Sequence, residues 1–230
     1  MKAFVLAGGL GTRLKPRFGD LPKALAPLGG RPVLARQLEW LARNGVVEAV
    51  LCAGVGADRL RAELGEGVAL GVRLEYSIES EPLGTGGALR NAARCVDGPA
   101  LVVNGDTLLS CDPWALECAR WEHGALGALA LFEVPDAASR GRVECGADGR
   151  ILRFLEKDAS HPGPAWVSGG LYAFSPRLWR SLPPGPSSLE RDVLPGLATT
   201  GQLWGLKATG EFLDIGTPED WERAEQRITS

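Results

Sequence analysis

A glycine-rich turn near the start of the chain is the first segment whose residues could do chemistry. Gly8-Gly9-Leu10-Gly11-Thr12-Arg13 follows an apolar run at residues 3–7. Glycines leave successive backbone N–H groups open to phosphate oxygens, and Arg13 can add a bidentate contact. The spacing matches neither the P-loop nor the dinucleotide fingerprint. The turn predicts a local phosphate site, with a purely structural turn as the open alternative.

Two more polar side chains could act on the same phosphates. Lys23 follows in a stretch that prolines and glycines keep from forming a simple helix. Asp106 comes after the apolar residues 100–103, so it is predicted at the carboxyl edge of a buried strand, where open α/β sheets bind ligands. A carboxylate there could hold Mg²⁺, which prefers oxygen ligands. The alternatives are a solvated lysine and an Asn104-Gly105-Asp106 turn.

Short apolar runs that alternate with helical patterns must position these residues. The runs cover residues 3–7, 49–53, 72–78, 100–104 and 126–132. This alternation predicts an α/β fold with a Rossmann-like, mixed but mainly parallel sheet sandwiched by helices. Shorter segments at residues 142–145, 150–155 and 169–174 predict added antiparallel strands.

Helix boundaries are marked by typical start and stop residues. A helical period covers residues 33–41, and Asn44-Gly45 is a typical stop. Thr217-Pro218-Glu219-Asp220 predicts a capped final helix that runs to about residue 228. The proline-rich residues 181–188 are interpreted as a surface loop.

Length and composition are those of an ordinary globular chain. The 230 residues, 45% apolar and 23% charged, are predicted to form one domain, residues 1–230. A net charge of −3 supplies no field for nucleic acid or an anionic membrane, and without an apolar leader or span we expect a cytoplasmic protein. The five cysteines are expected to be reduced thiols. Exposed apolar residues around Trp179 or Trp204 are expected to mark any homo-oligomer interface.

Six motifs follow one another along almost the whole chain. They are Leu6-Ala7-Gly8-Gly9-Leu10-Gly11-Thr12-Arg13-Leu14 with Leu21-Pro22-Lys23, Glu81-Pro82-Leu83-Gly84-Thr85-Gly86-Gly87-Ala88, Asn104-Gly105-Asp106, Phe154-Leu155-Glu156-Lys157, Gly169-Gly170-Leu171-Tyr172 and Leu213-Asp214-Ile215-Gly216-Thr217-Pro218. In this order they resemble the signature of the sugar-1-phosphate nucleotidylyltransferases. Within that family they look most similar to the D-glycero-D-manno-heptose 1-phosphate guanylyltransferases.

This resemblance implies a fold, a reaction and a metal. The fold would be the GT-A-like fold of the nucleotide-diphospho-sugar transferases. The reaction would join a nucleoside triphosphate, with GTP favoured, to a sugar 1-phosphate and release pyrophosphate. Arg13, Lys23 and Asp106 would be catalytic, and Asp106 together with Asp214 would bind Mg²⁺.

The resemblance also implies two sets of binding residues. The nucleotide set comprises Leu6, Ala7, Gly8, Gly9, Gly11, Thr12, Arg13, Lys23, Glu79, Glu81, Pro82, Gly84, Thr85, Asn104 and Asp106. The sugar set comprises Gly141, Glu156, Lys157, Ser168 and Gly169. The expected sugar is D-glycero-α-D-manno-heptose 1-phosphate.

The base and the sugar are the less constrained parts of this hypothesis. Glu79 or Glu81 could accept hydrogen bonds from guanine N1–H and N2–H, with solvated loop acids as the alternative. Ser168, Arg140 and Asp158 depart from residues that are common in the family. These departures leave mannose 1-phosphate, or another sugar 1-phosphate, open as the substrate.

Two other functions are weighed against this one. Transfer to a phospho-alcohol such as phosphocholine would call for an aromatic cage, to which nothing in the sequence points. A non-catalytic nucleotide-sugar sensor or regulatory subunit would have no need to keep Asp106 and Asp214 together. No second activity from a further C-terminal domain is expected after Asp214.

Overall fold

The computed structural model describes residues 1–9, 11–137, 140–155 and 163–229, in which strands and helices alternate along most of the chain. The strands are β1 (Lys2–Leu6), β2 (Pro27–Leu28), β3 (Arg31–Pro32), β4 (Glu48–Ala53), β5 (Arg73–Ile78), β6 (Ala100–Asn104), β7 (Thr107–Leu109), β8 (Gly127–Val134), β9 (Arg142–Cys145), β10 (Ile151–Leu155), β11 (Ala165–Phe174), β12 (Leu203–Lys207) and β13 (Phe212–Asp214). The α-helices are α1 (Lys15–Phe18), α2 (Val33–Arg43), α3 (Ala57–Leu64), α4 (Gly84–Asn91), α5 (Pro113–Glu122), α6 (Pro176–Ser181), α7 (Leu194–Thr199) and α8 (Pro218–Thr229). Single 3₁₀ turns cover Thr12–Leu14, Lys23–Leu25, Val68–Leu70 and Ala92–Cys95, and a π-helical turn covers Leu189–Val193.

A mixed sheet forms the centre of the described part of the chain. Its strand order is β10-β9-β11-β6-β1-β4-β5, and β8 joins β11 to β12. The strands β6, β1, β4 and β5 are parallel, whereas β11 runs antiparallel to β6, β8 and β9. The α/β fold predicted from the alternation of elements is confirmed, and the three later segments are antiparallel strands as expected.

Helices cover both faces of this sheet because the parallel strands are apolar on both faces. Val5 and Leu51 face one side, where they pack with buried residues of α2, α3 and α5. Phe4 and Val50 face the other side, where they pack with buried residues of α4, α6 and α7. Successive strand residues point to opposite faces, so one apolar run supplies both cores. The polar edge formed by the carboxyl ends of the strands is left open between the two helical layers.

The helix boundaries follow the expected capping residues. The helix α2 ends at Arg43, before Asn44-Gly45, and Gly45 adopts a φ of 76° that favours glycine. Before α8, the backbone N–H of Asp220 donates to Thr217 Oγ1 at 3.2 Å. Trp221 of α8 packs in a small apolar cluster with Ile215, which holds α8 against the end of β13.

Two tryptophans that were expected at the surface are buried. Trp179 and Trp204 are 3% and 8% exposed. Trp179 packs on Phe4, with ring centroids 4.5 Å apart, and Trp204 stacks on His123. The expectation of an exposed apolar patch around them is therefore wrong. The short elements α6 and β12 pack into the core, and their own sequence patterns do not reveal which side chains are covered.

All five cysteines are free thiols. Within the described ranges, no helix combines the length and the apolar character that crossing a membrane requires.

Candidate active site

Parallel pairing brings the glycine-rich turn beside Asp106. Leu6 at the end of β1 is in register with Asn104 at the end of β6. The N–H of Gly105 donates to the Leu6 carbonyl at 3.0 Å, and a Cβ on Gly105 would lie 2.8 Å from the same oxygen. Only glycine therefore allows this close approach of the two chain segments. The buried Gln37 of α2 stabilises the turn between β6 and β7, because its Nε2 donates to the carbonyls of Asn104 and Thr107.

Lys23 forms an ion pair with Asp106. Its Nζ donates to Asp106 Oδ2 at 2.6 Å, and the two side chains are 12% and 37% exposed. Gly11 adopts a φ of 58°, and a Cβ there would lie 3.0 Å from the Cβ of Lys23. The glycine turn therefore packs directly on Lys23 and places its ammonium group in front of the carboxylate. Arg13 has no hydrogen-bond or ion-pair partner among the described residues.

A two-stranded pairing brings Asp214 to the same place. In the pairing of β13 with β7, Asp214 is opposite Thr107, and the N–H of Ile215 donates to the Asp106 carbonyl at 3.0 Å. Burial raises the pKa of Asp214, and so does the negative charge of Asp106. Arg140 opposes this shift, because its Nη1 lies 3.3 Å from Asp214 Oδ2.

Asp106 and Asp214 supply carboxylate oxygens of the kind that divalent cations prefer. Mg²⁺ is usually bound by one or two protein carboxylates, with water and substrate phosphates as its other ligands. Among the described residues no group of three or more histidine, cysteine or acidic side chains could form a closed metal cage. Burial raises the pKa of Asp214 most and the charge of Asp106 raises it further, and a bound divalent cation would offset this second contribution.

One cavity, of about 310 Å³, opens beside the glycine turn; we call it the Glu79 cavity. Glu79 Oε2 accepts from the N–H of Leu83 at 2.9 Å, and burial raises the pKa of its carboxyl group. A Cβ on Gly8 would lie 2.9 Å from Glu79 Oε1. Glu81 is exposed at the surface. The lining residues are Leu6, Gly8, Gly9, Cys52, Glu79, Pro82, Gly84, Thr85, Ala88, Asn104 and Asp106.

The glycines of α4 are explained by the close packing of this helix against another chain segment. The N–H of Gly86 donates to the Ser187 carbonyl at 2.8 Å, and a Cβ on Gly84 would lie 2.6 Å from the same oxygen. Thr85 Oγ1 donates to Glu190 Oε2 at 2.9 Å. The resemblance implies that Gly84 and Thr85 bind the nucleotide. In the structure the glycines of this helix admit the backbone of the proline-rich loop, while Gly84 and Thr85 also line the Glu79 cavity.

A second cavity, of about 390 Å³, lies over β9, β11 and β6; we call it the Tyr172 cavity. Its lining residues are Arg13, Asn104, Arg140, Gly141, Arg142, Val143, Phe154, Leu155, Val167, Ser168, Gly170, Tyr172, Glu190, Arg191, Leu194 and Asp214. Gly141 and Ser168 of the expected sugar set are among them. Glu156 and Lys157 lie outside the described residues, as does Asp158.

Gly169 is placed differently from the expectation. A Cβ on Gly169 would overlap the ring of Phe132, so this glycine serves packing on the far face of β11. Gly170 lines the Tyr172 cavity instead, with a φ of 70° and a Cβ position 2.7 Å from Asn104 Nδ2. Strand alternation accounts for the difference, because Ser168, Gly170 and Tyr172 share one face.

Tyr172 and Glu190 are among the residues of the Tyr172 cavity that sequence reasoning missed. The Tyr172 hydroxyl donates to Glu190 Oε1 at 3.4 Å, and burial together with the charge of Glu190 raises the pKa of Tyr172. Alternation from Ser168 was a signal that could have found Tyr172. For Glu190 no such signal exists, since it becomes part of the cavity only through its contact with Thr85 in a distant segment.

The two cavities meet at Asn104, which lines both. Its Oδ1 is buried and accepts no hydrogen bond from the described residues. Lys23, Asp106 and Asp214 lie beside this junction. Fold and site together define a mixed α/β protein with a phosphate-binding turn and paired carboxylates where two ligand cavities meet.

Comparisons with known proteins agree with this class. A family model described as nucleotidyl transferase matches residues 2–230, and the chain belongs to this family. It is 34% identical over 229 residues to a mannose-1-phosphate guanyltransferase of Aspergillus fumigatus. It is 36% identical over 228 residues to mannose-1-phosphate guanyltransferase beta-B of Xenopus laevis. In both cases 96% of this chain is covered, and the chain spans 62% of the relative.

Solved structures are similar over the full chain. HddC from Yersinia pseudotuberculosis is 32% identical with a TM-score of 0.87, and the match covers 99% of both chains. The same protein complexed with GMP-PN is 31% identical with a TM-score of 0.86 over 99% of both chains. The GT-A-like nucleotidyltransferase fold implied by the sequence motifs is confirmed.

Proposed function

We propose that this protein is a sugar-1-phosphate guanylyltransferase, which converts GTP and D-glycero-α-D-manno-heptose 1-phosphate to the GDP-sugar and pyrophosphate. One observation carries the proposal. The Lys23–Asp106 ion pair and Asp214 lie where the Glu79 and Tyr172 cavities meet at Asn104. A nucleotide in one cavity and a sugar phosphate in the other would bring their phosphates together at these charges.

The reaction needs alignment and charge neutralisation more than proton transfer. The attacking oxygen of a sugar phosphate is already anionic, so a general base is not required. Lys23 would neutralise charge on the α-phosphate, and Arg13, in the wall of the Tyr172 cavity, would bind the sugar phosphate or the triphosphate. Asp106 and Asp214 would hold Mg²⁺, which supplies further neutralisation of the phosphates.

Glu79 supports GTP as the nucleotide. One of its oxygens is used by the Leu83 N–H, and the other faces Gly8 in the cavity wall. A carboxylate at this place can accept from the N–H groups on the guanine edge, which adenine and the pyrimidines do not match. The names of the guanyltransferase relatives and the GMP-PN complex of HddC are consistent with this choice.

Two sugars are supported by different similarities. The motif resemblance to heptose guanylyltransferases favours heptose 1-phosphate. The identity of 34% to 36% with mannose-1-phosphate guanyltransferases makes mannose 1-phosphate the second candidate. Glu190, Tyr172 and Ser168 offer acceptors and donors for sugar hydroxyl groups in either case.

A pyrophosphate-release matrix tests the proposal. Four nucleoside triphosphates are combined with heptose, mannose and glucose 1-phosphates, with and without Mg²⁺. We expect release only with Mg²⁺, fastest with GTP and heptose 1-phosphate. Asp214→Asn should lower release by about 10²–10³-fold, whereas Lys207→Ala, a change of an exposed residue on β12, should leave it unchanged. Absence of release from every pair of substrates would favour the sensor hypothesis.

A further inference from the structure

Both carboxylates of the expected metal site already have a positively charged partner in this structure. Asp106 accepts from Lys23, and Asp214 Oδ2 lies 3.3 Å from Nη1 of Arg140. Lys23 has a part in the proposed reaction, whereas nothing in that reaction uses Arg140. A divalent cation that takes Asp214 as a ligand must compete with the guanidinium group of Arg140.

The contacts of Arg140 would allow it to change partner. Within the described ranges its guanidinium group makes one hydrogen bond, to Asp214. Its Nη2 lies 3.9 Å from Asp220 Oδ1, which is beyond hydrogen-bond reach. Asp220 has partners of its own, in the hydroxyl group of Thr217 and the guanidinium group of Arg223. Since the Arg140 and Asp214 side chains are 25% and 33% exposed, solvent weakens their ion pair.

Arg140 lies on the sugar side of the site. It lines the Tyr172 cavity together with Asp214, and it is not among the residues that line the Glu79 cavity. Its guanidinium group lies over the Phe212 ring, 5.2 Å from the ring centre, which would keep it in the cavity wall when Asp214 is taken by a cation. A guanidinium group can bind two oxygens of one phosphate. The phosphate nearest to it would be that of the sugar, not the triphosphate.

We propose that Arg140 exchanges Asp214 for the phosphate of the sugar 1-phosphate when a divalent cation binds. This inference rests on the proposed function. Without the cation, Arg140 neutralises Asp214; with the cation bound, Asp214 is a metal ligand and the guanidinium group is released to the sugar phosphate. The metal and the sugar phosphate would then strengthen each other's binding, because each frees the group that the other requires.

Substrate kinetics test the contact with the sugar phosphate. Arg140→Met removes the charge and keeps an unbranched side chain. KM for the sugar 1-phosphate should rise about tenfold, since a hydrogen bond to a charged group is lost. KM for GTP should stay within about twofold, because Arg140 is not part of the Glu79 cavity. Thermal unfolding of the same samples checks that the variant is folded.

Metal binding without substrates tests the contact with Asp214. Mn²⁺ replaces Mg²⁺ as the probe, and free Mn²⁺ is measured by electron paramagnetic resonance. Arg140→Met should bind Mn²⁺ about two- to fivefold more tightly, the range expected when a solvent-exposed ion pair no longer competes. A residue that only held Asp214 in place would give the opposite sign, because its loss would weaken Mn²⁺ binding. Adding the sugar 1-phosphate should tighten Mn²⁺ binding in the unmodified protein, and this gain should shrink in the variant.

Two further variants serve as controls. Arg223→Met removes a positive charge that pairs with Asp220 but lies outside the Tyr172 cavity, so both measurements should give the values of the unmodified protein. Arg140→Lys keeps the charge and loses the planar fork. It should raise KM for the sugar 1-phosphate about threefold and leave Mn²⁺ binding unchanged.

The outcomes separate this inference from the proposed function. If an active Arg140→Met enzyme keeps its KM for the sugar 1-phosphate, or binds Mn²⁺ no more tightly than the unmodified protein, the exchange is refuted while the guanylyltransferase stands. If no substrate pair releases pyrophosphate, the proposed function fails. The Mn²⁺ titration then decides the competition at Asp214 alone: tighter binding by Arg140→Met but not by Arg223→Met supports it, and equal binding by all three proteins overturns it.

Discussion

Replacing Lys23 with alanine removes the ammonium group that lies 2.6 Å from Asp106 Oδ2. Surface ion pairs contribute about 0–1 kcal/mol, whereas breaking a buried pair costs about 3–5 kcal/mol. The Lys23 side chain is 12% exposed, but the Asp106 side chain is 37% exposed. Because solvent reaches the aspartate, the free energy that this pair contributes should be closer to that of a surface ion pair. We expect Lys23→Ala to lower the free energy of unfolding by about 1 kcal/mol, which shifts Tm by about 2–4 °C in a protein of this size.

The expected loss of turnover is much larger than the loss of stability. The ammonium group of Lys23, which Gly11 and Asp106 hold in place, would neutralise the negative charge that develops on the transferred phosphate. Removing one preorganised group of this kind typically lowers kcat by about 10²–10³-fold. The assay is the initial rate of pyrophosphate release with saturating GTP and sugar 1-phosphate, with thermal unfolding of the same samples as the check on folding.

A matched lysine provides the control for this experiment. Lys207 is exposed on β12, with its ammonium group 4.7 Å from the centre of the Trp166 ring. Lys207→Ala should keep kcat within about twofold, as expected for an exposed side chain outside the site. If Lys23→Ala also kept kcat within about threefold, the pair with Asp106 would serve only to hold the turn. The assignment of Lys23 to the phosphate would then be refuted.

Three further substitutions test other parts of the site. Asp214→Asn should lower kcat by about 10²–10³-fold and remove any rise of Tm with Mg²⁺, because a carboxylate that would hold the cation is lost; an unchanged Mg²⁺ response would exclude Asp214 as a ligand. Glu79→Gln should reduce the preference of kcat/KM for GTP over ATP about tenfold. Burial raises the pKa of Glu79, so KM for GTP should rise as the pH falls through this raised value and the carboxylate is protonated, and this part of the pH dependence should be absent from the Gln variant. Gly170→Ala should lower the free energy of unfolding by about 1–3 kcal/mol in urea titrations, because φ is 70° and the new Cβ would lie 2.7 Å from Asn104 Nδ2.

Local sequence was sufficient for the elements and for the chain segments that form the site. A parallel strand buried on both faces is apolar at every position, and the start and stop residues of a helix act within a few residues of its ends. For this reason β1, β6, α2 and α8 were predicted close to their observed bounds. The place of Asp106 at the carboxyl edge of β6 followed from the same local pattern.

Contacts between distant segments could not be read from these patterns. Glu190 lines the Tyr172 cavity because Thr85, 105 residues away, binds its carboxylate. The glycines of α4 admit the Ser187 backbone, although their sequence is equally suited to a nucleotide. Trp179 is buried because α6 packs on the sheet at Phe4.

The glycine-rich turn illustrates what the local sequence determines and what the tertiary structure determines. Its glycines and Arg13 by themselves determined that a phosphate could be bound after β1, because backbone N–H groups without Cβ atoms have that property wherever they occur. Only the packing of Gly11 on Lys23, and of Gly105 on Leu6, decided which charges face the turn and which cavities open on each side of it. The sequence determines which chemical groups are present, whereas the distances between these groups depend on the tertiary contacts of the whole sheet.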